Sequence, residues 1–340
     1  MWMITIKDVA KKAGVSIATV SRVMNGNYPV SDKTKKKVMD AIRELGYRPN
    51  AIARSLKVNR TYMIGMVVPD ISNPYYMEIA KGVERVVSKL GYNLIFCSSN
   101  ENTEREMDLL NALNEKRVEY ILLIPTINDS YRINGLLKKG MKIVLIDRHL
   151  PFVETDSIVI DNFEASYKLI EYAIKRGHKK IGIINGLMRV STARERYEAF
   201  RKALEDYDIP FNPKYSVCGD FIMEKSYKEV KNMIIKNRKN LPTMIFATNN
   251  KMAEGAIIAI KEMNLNIPRD ISLGSFGELS VPQLIHPQIT TITHDAFEMG
   301  RLVGEVVSEK IDNRVSEYKN IVMNSAIKFK GSIRSLKNLL

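Results

Sequence analysis

From Tyr62 onward the sequence alternates short apolar segments with amphipathic ones, and this rhythm constrains the fold more than any other feature. The apolar segments have the length of strands: YMIGMVVP, YNLIFCSS, EYILLIP and MKIVLID, then DSIVID, KKIGII, YSVCGD, TMIFAT and DISLGSF. Amphipathic stretches such as 75–90 separate them. Strands that alternate with helices form parallel sheets with helices on both faces. The segment is longer than one hydrophobic core usually supports, so we expect two such lobes. Residues 297–310 and NIVMNSAIKF are expected to cross back between the lobes.

The first 60 residues are far more basic than the remainder. They hold thirteen Lys and Arg against four Asp and Glu, a net charge of +9, which leaves +5 of the total +14 for the other 280 residues. A strongly basic segment on a nearly balanced body indicates an anionic polymer as its partner. A solvated lysine-rich surface has the same composition, so charge alone leaves both interpretations open.

The stretch TIKDVAKKAGVSIATVSRVMN, residues 5–25, has the pattern of two short helices around a turn. Apolar residues recur at helical spacing on both sides of Gly14, and glycine tolerates the left-handed backbone that a helix end requires. Ser16 is placed to cap the second helix, and Ser31 a third helix over 32–45. These features predict a helix-turn-helix, with a small three-helix bundle used only for packing as the alternative.

The exposed start of the second helix carries the side chains that a recognition helix presents to the major groove. Arg22 suits a guanine edge and Ala18 a thymine methyl group. The neighbouring hydroxyl and amide side chains suit phosphates, which position a helix without reading sequence. The predicted DNA-contacting residues of this domain are Thr5, Ser16, Ile17, Ala18, Thr19, Ser21, Arg22 and Asn25.

Two motifs, TIKDVAKKAGVSIATVSRVMNG and VSDKTKKKVMDAIRELGYRPNAIARSL, closely resemble the N-terminal domain of the lactose-repressor family of bacterial transcription regulators. The resemblance implies that PNAIARSL, residues 49–56, is a hinge helix that pairs with its copy in a dimer and enters the minor groove. So short a helix is marginal alone and would fold only in the complex. The implied contacts are Asn50, Ala53, Arg54 and Leu56, with Leu56 as an apolar wedge between base pairs. A flexible tether is the alternative.

The body also resembles this family, through VPDISNPYYMEIAKGVE, LIDR, RGHKKIGIING, GDF, PTMIFATNNKMAEGA and HPQITTI. The resemblance implies a small all-α helix-turn-helix domain over 1–46, a hinge over 47–60, and an α/β two-lobed, periplasmic-binding-protein-like domain with parallel sheets over 61–332. It further implies a homodimer that binds a double-stranded operator and a small-molecule effector, a sugar or sugar derivative. The expected cleft lies beyond the carboxyl ends of the strands, between the lobes.

Candidate effector-binding side chains follow the predicted strands or match family positions. Singly, each is equally compatible with a helix cap, a surface ion pair or a core aromatic. The predicted set is Tyr75, Tyr76, Asp147, Arg148, Asp161, Thr192, Arg194, Arg196, Phe221, Asn249 and Glu278.

Two positions depart from the family pattern. The acidic pair after DISLGSF is Gly277-Glu278 here, and the family's Asn-Asp after FAT is Asn249-Asn250. With two carboxylates missing and three arginines near in sequence, the local charge shifts towards positive, since arginine pairs well with phosphate or carboxylate. We therefore predict an anionic sugar derivative or sugar phosphate as effector, with Glu278 as the residue that would replace a missing carboxylate.

Other classes of protein find little support in the sequence. The four histidines lack metal-ligand spacing, and no GxSxG, P-loop or GxGxxG follows a strand, so we expect no enzyme, catalytic residue, metal or cofactor. No apolar run of membrane-spanning length or secretory leader pattern occurs, and the two cysteines fit buried thiols of a cytoplasmic protein.

A transporter's sugar-binding protein and a regulator with a nucleobase-type effector remain alternatives. The C-terminal SLKNLL is too short for a tetramerising coil, so a dimer is expected.

Overall fold

The computed structural model of the chain describes residues 4–25, 29–47, 60–312 and 317–337, with Asn25 described in its backbone only. The chain divides into two compact units, Met1–Thr61 and Tyr62–Leu340. Within the described ranges, no helix is long and apolar enough to cross a membrane.

Three helices build the first unit: α1 (Ile6–Ala13), α2 (Ile17–Asn25) and α3 (Asp32–Leu45). Gly14 ends α1 with a φ of 66°, in the left-handed region predicted for this turn. Ser16 Oγ accepts the backbone N–H of Thr19 (3.1 Å) at the start of α2. Ser31 Oγ accepts that of Thr34 (3.4 Å) at the start of α3. Both predicted caps are therefore confirmed.

The three helices share one small core. Val9, Val20 and Val38, one from each helix, are fully buried, and partly buried apolar side chains such as Ile42 and Leu45 pack around them. Removing these side chains from water stabilises the bundle by roughly 1.5–3 kcal/mol each. The helix-turn-helix fold predicted from spacing is confirmed.

The second unit alternates strands and helices, as the sequence predicts. Its strands are β1 (Met63–Val68), β2 (Asn93–Ser98), β3 (Tyr120–Leu123), β4 (Ile143–Asp147), β5 (Asp156–Ile160), β6 (Ile181–Asn185), β7 (Ser216–Cys218), β8 (Met244–Ala247), β9 (Ser272–Phe276), β10 (Thr290–Thr293), β11 (Asn320–Met323) and β12 (Ala326–Lys328). Its helices are α4 (Pro74–Val87), α5 (Thr103–Glu115), α6 (Ser130–Lys138), α7 (Asn162–Lys175), α8 (Ser191–Asp206), α9 (Met223–Lys236), α10 (Asn250–Glu262) and α11 (Ala296–Ile311).

These strands form two six-stranded sheets, and each sheet with its helices is one lobe. The first lobe has the strand order β11-β5-β4-β3-β1-β2, and the second has β12-β10-β9-β8-β6-β7. All pairings are parallel except that of β12 with β10, which is antiparallel. The chain crosses between lobes after β5, after β10 and after β11. The predicted parallel architecture is confirmed, whereas β10 was absent from the predicted strands.

Two glycines allow α4 and α11 to cross at very close range in the first lobe. A Cβ added at Gly82 would lie 2.1 Å from Phe297 O, and one at Gly300 would lie 1.9 Å from Ile79 O. Only glycine fits both positions, because these distances are far below van der Waals contact. The close crossing seals the apolar core that α4 and α11 share with β1, β3 and β4.

Candidate ligand cavity and DNA-contact surface

A cavity of about 210 Å³ lies between the two lobes, beyond the carboxyl ends of the strands. This is where open parallel sheets place their ligands. The first lobe contributes the start of α4 and the residues after β4. The second lobe contributes the start of α8 and the residues after β7, β8 and β9. The lining residues are Asn73, Pro74, Tyr75, Tyr76, Glu78, Asp147, Arg148, Thr192, Arg196, Phe221, Asn249, Asn250, Phe276, Gly277, Glu278, Leu279, Ser280, Thr293, His294 and Ala296.

Nine of the eleven predicted effector-binding residues line this cavity. The other two do not. Asp161 caps α7, where its Oδ1 accepts the backbone N–H of Glu164 (2.9 Å). Arg194 donates from Nη1 to its neighbour's main chain, Arg189 O (2.7 Å). Both side chains are used locally, which corrects their predicted placement in the cavity wall.

Arg148 is buried in the wall and held by a carboxylate behind it. Its Nη2 donates to Glu101 Oε1 (2.6 Å) and its Nη1 to Glu101 Oε2 (3.0 Å). Nη1 also donates to Pro125 O (3.1 Å). The guanidinium carbon lies 5.2 Å from the centre of the Phe221 ring. Arg148 therefore contributes a flat, charge-neutralised surface.

Arg196 is likewise buried and mostly committed to the protein. Its Nε donates to Asn162 Oδ1 (2.9 Å) and its Nη1 to Thr248 O (2.7 Å). The guanidinium carbon lies 3.5 Å from the centre of the Phe276 ring. These bonds leave Nη2 as the donor that can meet a ligand oxygen.

The prediction of an anionic effector rested on two missing carboxylates and on three available arginines, and the second premise is wrong. Arg148 is paired with Glu101, Arg194 is absent from the lining, and Arg196 has two of its three nitrogens bonded to the protein. Glu278, expected to replace a missing carboxylate, does line the cavity, and it is paired with Lys328 Nζ (2.8 Å).

A buried hydrogen-bonded chain crosses the floor of the cavity. Tyr75 O–H donates to Asp147 Oδ1 (2.8 Å), and its oxygen lies 2.8 Å from His294 Nε2. Since the phenolic proton goes to the carboxylate, His294 Nε2–H is assigned as the donor to the phenol. Burial lowers the pKa of His294 to about 4, so the imidazole is neutral at pH 7. Burial also raises the pKa of Tyr75 well above its ordinary value, which keeps the phenol protonated.

Two amides close one side of the cavity across the lobes. Asn250 Nδ2 donates to Asn73 Oδ1 (3.2 Å), and Asn73 Nδ2 donates back to Asn250 Oδ1 (3.4 Å). Asn249 beside them caps α10 by accepting the backbone N–H of Met252 (2.8 Å). That bond occupies its carbonyl oxygen and leaves the amide Nδ2 as the group it can offer to a ligand. Asn250, where the resemblance led us to expect aspartate, is therefore an uncharged contact between lobes.

Further hydrogen bonds join the lobes beside the cavity. Arg189, in the loop after β6, donates from Nη2 to Glu101 O (2.5 Å) and from Nε to Thr126 O (3.3 Å). The backbone N–H of His149 donates to Ser191 Oγ (3.1 Å). The first lobe supplies three of these partners and the second lobe supplies two, so these bonds hold the lobes together in the described conformation.

Sequence reasoning missed five residues that shape the site: Glu101, Arg189, His294, Asn73 and Phe276. Glu101 follows β2, so the rule that ligands lie beyond strand ends was the signal that could have found it. Arg189 binds main-chain carbonyls of the other lobe, and such contacts leave no motif in a sequence.

In the described part of the first unit, the predicted DNA-contacting residues lie just before α1, just before α2 or on α2. Thr5, Ser16, Ile17, Ala18 and Arg22 are exposed, and Thr19 and Ser21 are half-buried. Ile17, an apolar side chain, is 44% exposed. The side chain of Asn25 and the residues Asn50, Ala53, Arg54 and Leu56 lie outside the described residues. Within the described part of the chain, no group of three or more His, Cys, Asp or Glu could hold a metal.

A helix-turn-helix unit followed by two parallel-sheet lobes around a cavity defines the class of a DNA-binding protein with a periplasmic-binding-protein-like domain. Residues 5–50 match the family of bacterial regulatory proteins, lacI family. Residues 61–332 match periplasmic binding proteins and sugar binding domain of LacI family. The chain therefore belongs to the LacI family, as its motifs suggested.

Similar proteins agree over nearly the full chain. The HTH-type transcriptional repressor PurR of Haemophilus influenzae (strain PittEE) is 35% identical, with 98% of this chain and 100% of PurR covered. Catabolite control protein A of Priestia megaterium is 30% identical, with 97% and 99% covered. The lac repressor dimer bound to operator and the anti-inducer ONPF has the same fold, with a TM-score of 0.83, 24% identity, and 98% and 100% covered. The protein is a DNA-binding transcriptional repressor and not an enzyme.

Proposed function

We propose that this repressor binds a near-palindromic operator as a homodimer and that an uncharged small molecule, a sugar or a related polyol, occupies the cavity and changes operator affinity. The observation that carries the proposal is the cavity itself, which lies between the lobes and is lined by polar side chains among aromatic rings. Ligand pockets of this composition bind through apolar faces and gain orientation from a few polar groups.

The polar groups suit hydroxyls. Asp147 is 5% exposed and supplies carboxylate oxygens that accept hydroxyl protons. Arg196 Nη2 and Asn249 Nδ2 supply N–H donors to hydroxyl oxygens, and Thr192 also lines the wall. The family description, which names a sugar binding domain, supports the same class of ligand.

A nucleobase-type effector is the second candidate. Tyr75, Tyr76, Phe221 and Phe276 all line the cavity, and aromatic rings stack on planar heterocycles as readily as on the apolar face of a sugar. Both candidates are uncharged, and they differ in shape.

For DNA, we assign residues 1–46 to the DNA-binding domain, 47–60 to the hinge and 61–332 to the effector-binding and dimerisation domain. The exposed face of α2, with Ala18 and Arg22, would enter the major groove. Leu56 would be the minor-groove wedge of the hinge. Operator binding places the protein in the cytoplasm with the chromosome.

Exposed apolar side chains on the second lobe support the homodimer. Ile258 on α10 is 46% exposed, and Val281 and Leu284 after β9 are 49% and 77% exposed. The loop that carries the latter two is joined to α10, because Ser280 N donates to Glu254 Oε1 (2.7 Å). Neighbouring apolar side chains of this kind mark protein interfaces.

The decisive experiment selects operators and effectors from unbiased pools. Duplexes enriched from a random library by the purified protein should show two-fold symmetry, and affinity for them should fall steeply with salt. A panel of uncharged sugars and nucleobases is then screened for thermal stabilisation and for altered operator affinity. Asymmetric enriched sequences would contradict the dimeric operator complex, and a panel without any responder would contradict the proposed effector class.

A further inference from the structure

Glu101 stands behind the cavity wall rather than in it, yet it sets the charge of that wall. Its carboxylate pairs with Arg148 at 2.6 and 3.0 Å through both oxygens. The Arg148 side chain is 3% exposed and that of Glu101 is 14% exposed, so the pair is largely shielded from water. Two-point pairs of this kind are strong and fix the orientation of the guanidinium.

The pairing with Glu101 occupies the two parallel N–H groups of Arg148 that an anion would otherwise bind. Both Nη nitrogens of Arg148 donate to Glu101, and Nη1 also donates to Pro125 O. The remaining nitrogen, Nε, is buried without a hydrogen-bond partner in the described part of the chain. Arg148 therefore has no accessible pair of N–H groups for a phosphate or carboxylate.

The other charged side chains of the wall do not compensate. Arg196 has Nε bonded to Asn162 and Nη1 bonded to Thr248, so Nη2 is its one nitrogen without a hydrogen-bond partner among the described residues. Three carboxylates line the cavity, on Glu78, Asp147 and Glu278. Glu78 is paired with Lys81 and Glu278 with Lys328, and Asp147 offsets the charge of Arg196. With Arg148 neutralised by Glu101, an entering anion would leave water for a wall without net positive charge.

The loop that carries Glu101 is held in an unusual conformation. The φ of Glu101 is 52°, in the left-handed region that a side-chain-bearing residue seldom adopts. Its main-chain oxygen accepts Arg189 Nη2 from the second lobe (2.5 Å), and its N–H donates to Pro69 O (3.2 Å). Contacts from both lobes thus fix the carboxylate against Arg148.

We propose that Glu101 is a specificity-determining residue, which restricts this cavity to uncharged ligands by neutralising Arg148. The assignment rests on the proposed function, since it concerns the ligand of the same cavity. Glu101 acts through Arg148 and is not among the residues that line the cavity, so it is a positioning residue. A substitution that removes the charge of Glu101 but keeps its shape leaves the positive charge of Arg148 uncompensated. The cavity would then admit an anion.

The test uses the full-length protein, the Glu101→Gln variant and inorganic phosphate as probe, since phosphate is small enough for any polar cavity of this size. Calorimetry should show saturable phosphate binding to Glu101→Gln at least tenfold tighter than to the wild type. The matched control is Glu104→Gln, which neutralises a carboxylate three residues away. Glu104 is 74% exposed and pairs with Arg132 (2.8 Å), so its substitution leaves Arg148 paired. Glu104→Gln should bind phosphate as the wild type does.

A second substitution locates the new site. Adding Arg148→Met to Glu101→Gln should abolish the gained phosphate binding. Glu101→Ala is measured alongside, so that a folding defect in either Glu101 variant leaves the comparison intact. Equal phosphate affinity in wild type and both Glu101 variants would overturn the assignment, and so would a gain that survives Arg148→Met. A wild type that responds to no uncharged ligand contradicts the proposed function, while a gain of phosphate binding still supports the role of Glu101.

Discussion

At the scale of single residues, burial decides which groups are charged in the second unit. Glu106 is fully buried, and burial raises its pKa to about 7 although the backbone N–H groups of Thr126 and Ile127 donate to it at 2.6 and 3.0 Å. Burial lowers the pKa of His178 to about 4, and its two ring nitrogens bond to Thr243 Oγ1 and Arg334 O. Between about pH 4 and about pH 7, the Glu106 carboxyl group and the His178 imidazole are therefore both mainly uncharged.

We expect Glu106 to make the protein less stable as pH rises from about 4.5 to about 7. The folded state holds this proton more tightly than the unfolded chain, so its contribution is full below pH 4.5 and is lost through pH 7. Urea unfolding of the wild type and Glu106→Gln over this range measures the effect, and the loss should be smaller in the variant. His178, whose pKa is lowered, acts with the opposite sign in both proteins and cancels in the difference. Parallel pH profiles would contradict the prediction.

Some placements of site residues follow from sequence and others cannot. Thr192 and Arg196 are four residues apart on α8 and both line the cavity. Arg194 lies two residues from each, which is about 200° around the helix, so periodicity alone places it on another face. The pair of Arg148 with Glu101 joins residues 47 apart on different loops. One sequence contains no signal for such a pair, and the positive charge of the wall was therefore overestimated.

At the scale of elements, the strand and helix pattern was predictable because strands buried on both faces are nearly continuous apolar runs. β4 is buried throughout and follows this rule. β10, TTIT, has a threonine-rich sequence without an apolar run, although three of its four residues are buried. β10 is buried because it pairs with β9 on one side and with β12 on the other. The sequence of four residues alone does not predict such pairing with distant strands.

The exposed face of α2 yields a prediction about reading DNA. Arg22→Ala should relax base preference at one position of each half-site, with a loss of discrimination of roughly 1–3 kcal/mol. The matched control is Arg43→Ala on α3, which removes the same charge from a side chain that is 74% exposed. Arg43→Ala should leave the preference intact. Competition binding with single-base operator variants measures both, and an unchanged preference in Arg22→Ala would exclude the major-groove assignment.

The crossing of α4 and α11 yields a prediction about stability. Gly300→Ala places a methyl group 1.9 Å from Ile79 O, so the helices must separate, and overpacking of this kind lowers the free energy of unfolding by about 1–3 kcal/mol or more. Gly135→Ala on α6 is the control, because a Cβ there meets nothing within 4 Å. That substitution should stabilise the protein by about 0.5–1 kcal/mol. Chemical denaturation measures both, and a neutral Gly300→Ala would contradict the close crossing.

At the scale of the whole second unit, the lobes are joined by three chain crossings and by side-chain contacts that can break and reform. The amide pair of Asn73 with Asn250 and the contacts of Arg189 are of this second kind. Neither the amide pair nor the Arg189 contacts involve a ligand, so the protein alone contributes to the closure of the lobes. A ligand shifts the balance of open and closed lobes only through its different affinity for the two.

Arg189→Met should therefore favour open lobes before any ligand is added. Two charge-assisted hydrogen bonds to Glu101 O and Thr126 O are lost, and bonds of this type contribute about 1.5–3 kcal/mol each when desolvated, less where water competes. We expect the closed population to fall by at least about tenfold relative to the open one. The radius of gyration from small-angle scattering should increase, and amide exchange at the loops after β2 and β3 should become faster. Arg201→Met is the control, since Arg201 loses an equal charge on α8 while its contacts, Tyr197 and Phe211, stay within the second lobe. If Arg189→Met and Arg201→Met have the same radius and the same exchange as the wild type, Arg189 does not hold the lobes closed, and closure must come from the amide pair and the packing of the crossings.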